Sequence, residues 1–372
     1  MRRSLLCATL ATSLVIAWQS LTVWYNYDRD WTALFHTGAF VQLPPALAAE
    51  DIYRFRNDPG YDGQFYRLVA HDPLLRRGYQ PQVDNPHLRW RRILTPALAW
   101  CAALGQDAAV DYAYIAVTLA FVFAGSYWLS RYASHRAWGL AFPLIPAVLV
   151  SIDRMTVDAA LAALCVGFAL YLESPRKLYA VLALAPLARE TGICLVASYC
   201  LWLAARRAWR PALAYATAAL PFLAWTAFVH AQTAADHTRF LGYPFAGLLE
   251  RTVHPASYAL TSRWLRQAAA LDYLAVLAVW LALALAARAL FSRAATPLHL
   301  AAYSYAALAA VLGQQQIWSE AYSLSRTQTP LLLCLALAGG SRWGPAPLAL
   351  SIPRILFQLG PQWKGILRGL LS

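Results

Sequence analysis

Long apolar windows recur along this chain of 372 residues. Residues 4 to 27 form a run of 24 positions without a charge, behind Arg2 and Arg3. A helix of about 20 such residues crosses the roughly 30 Å hydrocarbon core of a bilayer. The run closes on Trp24, Tyr25 and Tyr27, residues suited to the interface, and no small-x-small cleavage site follows. The pattern predicts a retained anchor in place of a cleaved signal peptide. Further windows lie at 108 to 129, 137 to 152, 155 to 172, 178 to 205, 211 to 230, 273 to 291, 294 to 313 and 327 to 340. Arg189 and Glu190 interrupt the fourth, leaving two arms too short for full spans, as in a broken or re-entrant pair lining a cavity. The windows predict an all-α integral membrane protein of nine or ten transmembrane helices. The count turns on residues 93 to 105, a short segment holding Pro96, which the pattern leaves open to crossing or not.

Composition sharpens the membrane reading. The chain is 60% hydrophobic and 13% charged, where a soluble domain carries about 25% charge. Its net charge of +13 would suit nucleic acid in a soluble protein. Here the basic residues sit in short loops between windows, so topology accounts for them and no nucleic-acid partner is expected. Arg2/Arg3, Arg131/Arg136, Arg176/Lys177, Arg206/Arg207/Arg210, Arg293 and Arg342 place those loops in the cytoplasm. The loops 25 to 92, 231 to 272 and 314 to 328 then lie outside. Residues 1 to 342 read as one polytopic unit, and 343 to 372 as an interfacial helical tail on the cytoplasmic face. The six cysteines fall in apolar segments and read as small core residues. His36, His71, His87, His254 and His299 show no ligand spacing, and no phosphate-binding glycine motif occurs, so neither metal nor cofactor is expected.

The loop from 25 to 92 holds eight of the 18 acids and nine arginines, with aromatic interleaving that suits short helices lying on a membrane surface. Within it, DPGYDGQFY (58 to 66) sets Asp62 before Gly63, which lets backbone approach a ligand. Gln64, Phe65 and Tyr66 follow, with amide, ring and hydroxyl contacts for a polar ring-shaped substrate. Asp62 has two readings, a general base for an acceptor hydroxyl or the cap of a helix beginning near Gln64. Further on, Arg89, Arg91 and Arg92 stand where the loop re-enters the membrane. Arginine forks match phosphate oxygens, and single interfacial arginines also answer lipid headgroups. Asp153, Asp158, Arg189 and Glu190 fall in apolar surroundings, where an unpaired charge costs about 2.5 to 3.5 kcal/mol at the bilayer centre. They mark either a functional site or structural ion pairs. In the last outer loop Gln314, Gln315, Gln316, Trp318, Glu320 and Arg326 make a set able to hold a sugar or a phosphate, or a solvated turn.

With these residues in view, the chain resembles the GT-C class of multi-pass glycosyltransferases, which take sugars from polyprenyl-phosphate carriers at the outer face of the membrane. The resemblance rests on the N-terminal span, the large first outer loop with YDGQFYRLVA, the RRILTP re-entry, the DRMTVD turn and the LARETG break. In organisation it covers most of the chain, and in motif residues 58 to 192. It implies Asp62 as catalytic base, with Arg91, Arg92, Arg189 and Arg326 holding the donor phosphate. Gln64, Tyr66, Asp153, Asp158, Glu190 and Glu320 complete the expected substrate set. It further implies a polyprenyl-phosphate-linked sugar donor, a lipid or glycan acceptor, and a site facing the periplasm from the bacterial inner membrane. A transporter or flippase of a lipid-linked glycan, and a noncatalytic assembly subunit, are the other readings. Transporters are often built from internal repeats, and none is visible here.

Overall fold

The computed structural model of the protein describes residues 1–48, 50–234, 240–258, 260–290, 295–319, 322–339 and 341–371. Among them the architecture is all-helical, with two isolated β-bridges, Gly38 to Phe55 and Leu241 to Leu312.

The first apolar run is one helix, α1 (Arg2–Asn26). Its buried positions Ser4, Ala8, Ala11, Val15, Gln19 and Thr22 recur every three or four residues, mostly small, while Leu6, Leu10 and Leu14 point outward. Small residues along one stripe let neighbouring helices approach closely, as membrane helices require. The first loop carries α2 (Asp62–His71) and α3 (Pro86–Arg91), followed by α4 (Leu94–Ala102). At a rise of about 1.5 Å per residue, α4 is too short to cross unaided. Then comes α5 (Asp107–Tyr132), packed on α1.

A bent pair follows, in which a 3-10 stretch, Arg136–Leu144, meets α6 (Pro146–Arg154) at 55°. Pro143 and Pro146 remove the donors that a continuous helix would need there. Next, α7 (Asp158–Leu170) is buried on nearly every side, as a helix apolar all round must be. α8 (Pro175–Ala188) and α9 (Ile193–Ala205) meet at an extended Arg189, the break expected from its charge. α10 (Trp209–Ala216) and α11 (Leu220–Gln232) run together as a second long unit. The short α12 (Ala246–Val253), the long α13 (Ser262–Leu290), α14 (Pro297–Val311), the short α15 (Gln315–Ser319) and α16 (Ser323–Ala338) follow. The chain closes with α17 (Ala346–Gln358) and α18 (Gly360–Leu371). The main core gathers α5, α7, α8, α9, α14 and α16.

By length and composition, four helices among the described residues can cross a membrane, and five if the bent pair counts as one. The apolar windows of the sequence predict nine or ten crossings. Several of them, such as Asp158–Leu170 and Pro297–Val311, fold as apolar helices of 10 to 17 residues. Hydropathy counts apolar residues, not unbroken helix, so a buried short helix and a span look alike.

The two ends of the bundle differ. Met1, Ser4, Ser130, Arg131 and Arg136 surround a polar hollow at one end of α1 and α5. Asp107, at the other end of α5, contacts His71 at the end of α2. The first-loop helices thus stand about 39 Å from the Arg131 end, by the length of α5. The tail also differs from its expected place beside Arg2 and Arg131. Asn26, in the last turn of α1, donates to the Gln362 carbonyl at 3.3 Å, and Gln362 donates to Asp153 at 3.1 Å. Between these contacts and α16, Arg354 of α17 is buried against Asp272 of α13 at 2.6 Å.

Candidate functional site

The turn before α2 fixes where Asp62 stands. Gly60 takes a φ of +85°, and its N–H donates to Asp58 Oδ1 at 2.8 Å. Gln64 clasps this turn: its Oε1 accepts from the Gly38 N–H at 2.9 Å, and its Nε2 donates to the Pro59 carbonyl at 3.2 Å. Gln64 therefore braces the turn and is not among the residues that line the cavity described below. Gly63, expected to face a ligand, instead lies against protein backbone. A Cβ there would stand 2.1 Å from the Arg154 carbonyl oxygen and 2.8 Å from that of Phe35.

Asp62 itself does not cap α2. Its Oδ1 accepts from Arg89 Nη2 at 2.9 Å, and its Oδ2 lies 2.8 Å from Arg326 Nη1. Burial alone would raise the carboxyl, but Arg89, then Arg326 and Arg92, hold it well below the usual carboxylate range.

Asn85 starts α3 by accepting from the Leu88 N–H at 2.9 Å, with Pro86 at the first helical position. From that start, Arg89 and Arg92 share one face, three residues apart. Both donate to the buried Tyr66 hydroxyl, at 3.3 and 2.9 Å. Tyr66 thus orients arginines. Arg89 is also held by Asp84, at 2.9 and 2.7 Å. Arg91 is bonded to the His87 carbonyl at 3.2 Å and makes no ion pair among the described residues.

At the α8–α9 break, Glu190 accepts two bonds from Arg92, at 2.7 and 2.6 Å, while Arg189 pairs with Asp158. Asp158 also lies 3.8 Å from Arg326 Nε. It stands behind the cavity, holding both arginines.

These groups line a cavity of about 630 Å³. One wall carries Arg89, Arg91, Arg92, Arg189 and Arg326 with Asp62, Asp84 and Glu190; another is apolar, from Tyr305, Leu308 and Ala309 of α14, Leu312 just beyond it and Leu331 of α16. Arg189 Nε, Arg326 Nε and Gln328 Nε2 are buried without a hydrogen-bond partner among the described residues. All three are donors. A cavity with spare buried donors, excess positive charge and an apolar wall suits an anionic amphiphile.

Of the expected site residues, the structure brings Asp62, Arg91, Arg92, Arg189, Glu190 and Arg326 to this cavity. Tyr66 and Asp158 support it from behind. Asp153 lies elsewhere, among Tyr322, Gln362 and Arg154, at 3.0, 3.1 and 3.0 Å. Glu320 lies outside the described residues. The sequence reading gave no site role to Asp84, Thr191 or Gln328, which line the cavity, and gave Arg89 none beyond a shared phosphate-binding cluster.

One histidine does meet carboxylates through packing: His71, Glu50 and Asp111 bring potential ligand atoms together. Arg67 already fills that cluster, paired with Glu50 and with Asp111 at 2.9 Å, so a guanidinium supplies the positive charge there. Comparison with known proteins finds no protein family, no curated protein and no solved structure that matches this chain.

Proposed function

We propose that the protein is a membrane glycosyltransferase of the GT-C kind, moving a sugar from a polyprenyl-phosphate carrier to a lipid or glycan acceptor. On this reading the shorter apolar helices complete nine or ten crossings, the Arg2 and Arg131 end faces the cytoplasm, and the cavity opens to the periplasm of a bacterial inner membrane. The observation that carries the proposal is the pairing, in one cavity, of Asp62 and five arginines with an apolar wall between α14 and α16. The arginines suit a phosphate, the apolar wall an isoprenoid tail, and Asp62 a hydroxyl.

In the proposed step the acceptor O–H gives its proton to Asp62, and the acceptor oxygen bonds to the anomeric carbon. The bond from that carbon to the phosphate oxygen breaks, and its electron pair leaves with the phosphate. The arginines meet the negative charge that grows on the leaving group. The test is transfer by the purified protein in lipid vesicles from a synthetic polyprenyl-phosphate sugar, without divalent metal. Transfer only from a nucleotide sugar refutes the proposal.

A further inference from the structure

The resting geometry of Asp62 does not suit a base. Both carboxylate oxygens are spent on guanidinium groups, at 2.9 Å to Arg89 and 2.8 Å to Arg326. A base needs an oxygen facing the proton it takes. Something must take the place of Asp62 on the arginines before Asp62 can act, and an arginine fork exchanges a carboxylate most readily for the other group it matches, a phosphate.

We infer that Arg89 and Arg326 form a phosphate clamp which Asp62 occupies in the empty site, so that an arriving phosphate displaces the carboxylate and frees it to accept a proton. This rests on reading the cavity as a phosphate site. Three features support the exchange. Both arginines keep their place when Asp62 leaves: Arg89 is anchored by Asp84 and the Tyr66 hydroxyl, and Arg326 has Asp158 at 3.8 Å and lies over the Tyr61 ring at 5.2 Å. Arg326 Nε has no hydrogen bond among the described residues, so a donor remains for an incoming oxygen beside the Nη1 that Asp62 gives up. Asp62 is 18% exposed, enough for a ligand to reach it. The latch also keeps an empty site from deprotonating hydroxyls before a donor is bound.

The latch makes Asp62 a competitor of the phosphate, so removing its charge strengthens phosphate binding even though it removes the base. Farnesyl phosphate, farnesol and inorganic phosphate are titrated calorimetrically into the full chain in lipid nanodiscs, as parent, Asp62→Asn and Arg326→Gln. Asp62→Asn is expected to tighten farnesyl phosphate by about tenfold or more, and Arg326→Gln to weaken it, with neutral farnesol unchanged by either. Tightening of inorganic phosphate alone would assign the clamp to a free anion and overturn its link to a lipid donor. Equal or weaker farnesyl phosphate binding by Asp62→Asn overturns the latch while leaving the phosphate site intact. Absence of farnesyl phosphate binding in the parent and both variants overturns the phosphate site itself. Should Asp62→Asn fail to fold, the infrared carboxylate band of the parent decides: a farnesyl phosphate-induced shift supports displacement, and an unchanged band overturns it.

Discussion

Arg92 and Glu190 form a two-bond pair, at 2.7 and 2.6 Å, across 98 positions of sequence. The pair ties α3 of the first loop to the break between α8 and α9, which is why that break can hold charge within an apolar region. Arg92 is 8% exposed and Glu190 25%. Removing one partner of a buried pair costs on the order of 3 to 5 kcal/mol, and the partial exposure of Glu190 puts Glu190→Gln at the low end, about 3 kcal/mol. Unfolding of the purified protein in detergent measures the loss. A variant as stable as the parent would show that the loop is held by other contacts.

Gly63→Ala should harm the fold more than a surface change does. The added methyl would meet two backbone oxygens, of Arg154 and Phe35, and backbone cannot swing aside as a side chain can. Overpacking costs about 1 to 3 kcal/mol even where side chains yield. A clear drop in unfolding midpoint is expected, and an Ala variant with parental stability would mean that α2 sits further from α6 than described.

Much of this site was legible in sequence, and the misses have physical reasons. Asp62, Arg189, Glu190 and Arg326 stand out because a charge inside apolar surroundings needs a partner or a purpose. Which partner it takes is a matter of packing: Arg189 bonds Asp158, and Glu190 bonds Arg92, though the two are neighbours in the chain. Arg91 was favoured over Arg89, yet Asn85 followed by Pro86 signals a helix start. Counting from it puts Arg89 and Arg92 on one face. Gln64 and Gly63 were placed correctly in the motif but serve the turn and the α6 backbone, which no local spacing reveals. Four or five helices are long enough to cross unaided, and the sequence does not separate these from short apolar helices, because buried helices such as α7 are as apolar as spans.

The pH dependence of stability follows from Asp62. Its folded carboxyl lies below the ordinary range, while the unfolded value is about 3.9. In acid the unfolded chain takes up this proton first, so the contribution of the ion pairs is full above about pH 5 and drains as pH falls through and below 4. The difference in unfolding midpoint between parent and Asp62→Asn should be flat from pH 6 to 8 and shrink below pH 4. A difference that changes between pH 6 and 8 would place the resting carboxyl near neutrality and contradict the double arginine contact.

Orientation can be tested at the two ends of the bundle. Gln64 is too buried to report, but Phe40 is 76% exposed in the first loop, and Ser134 is exposed at the Arg131 end. With the exposed Cys101 replaced by Ser, Phe40→Cys should react with an impermeant thiol reagent applied to the periplasmic side, and Ser134→Cys should not. Labelling of position 134 alone would put the cavity on the cytoplasmic face and exclude the proposed donor geometry.

Asp62→Asn and Arg189→Ala should slow sugar transfer for different reasons. Losing a general base costs on the order of 10² to 10⁴ in rate, and the Asn variant should lose turnover without losing its hold on a phosphate. Losing a donor that meets charge in the transition state costs on the order of 10² to 10³. Arg189 Nε is a spare buried donor beside the cavity, so Arg189→Ala should lower turnover. Its fold should survive better than that of an Arg92 variant, since Asp158 keeps Arg326 nearby at 3.8 Å. Single-turnover transfer from a synthetic donor, with binding measured separately, distinguishes the two. If Asp62→Asn transfers within a few fold of the parent, Asp62 only positions Arg89 and Arg326, and the base must be sought among the other carboxylates of the cavity, Asp84 first.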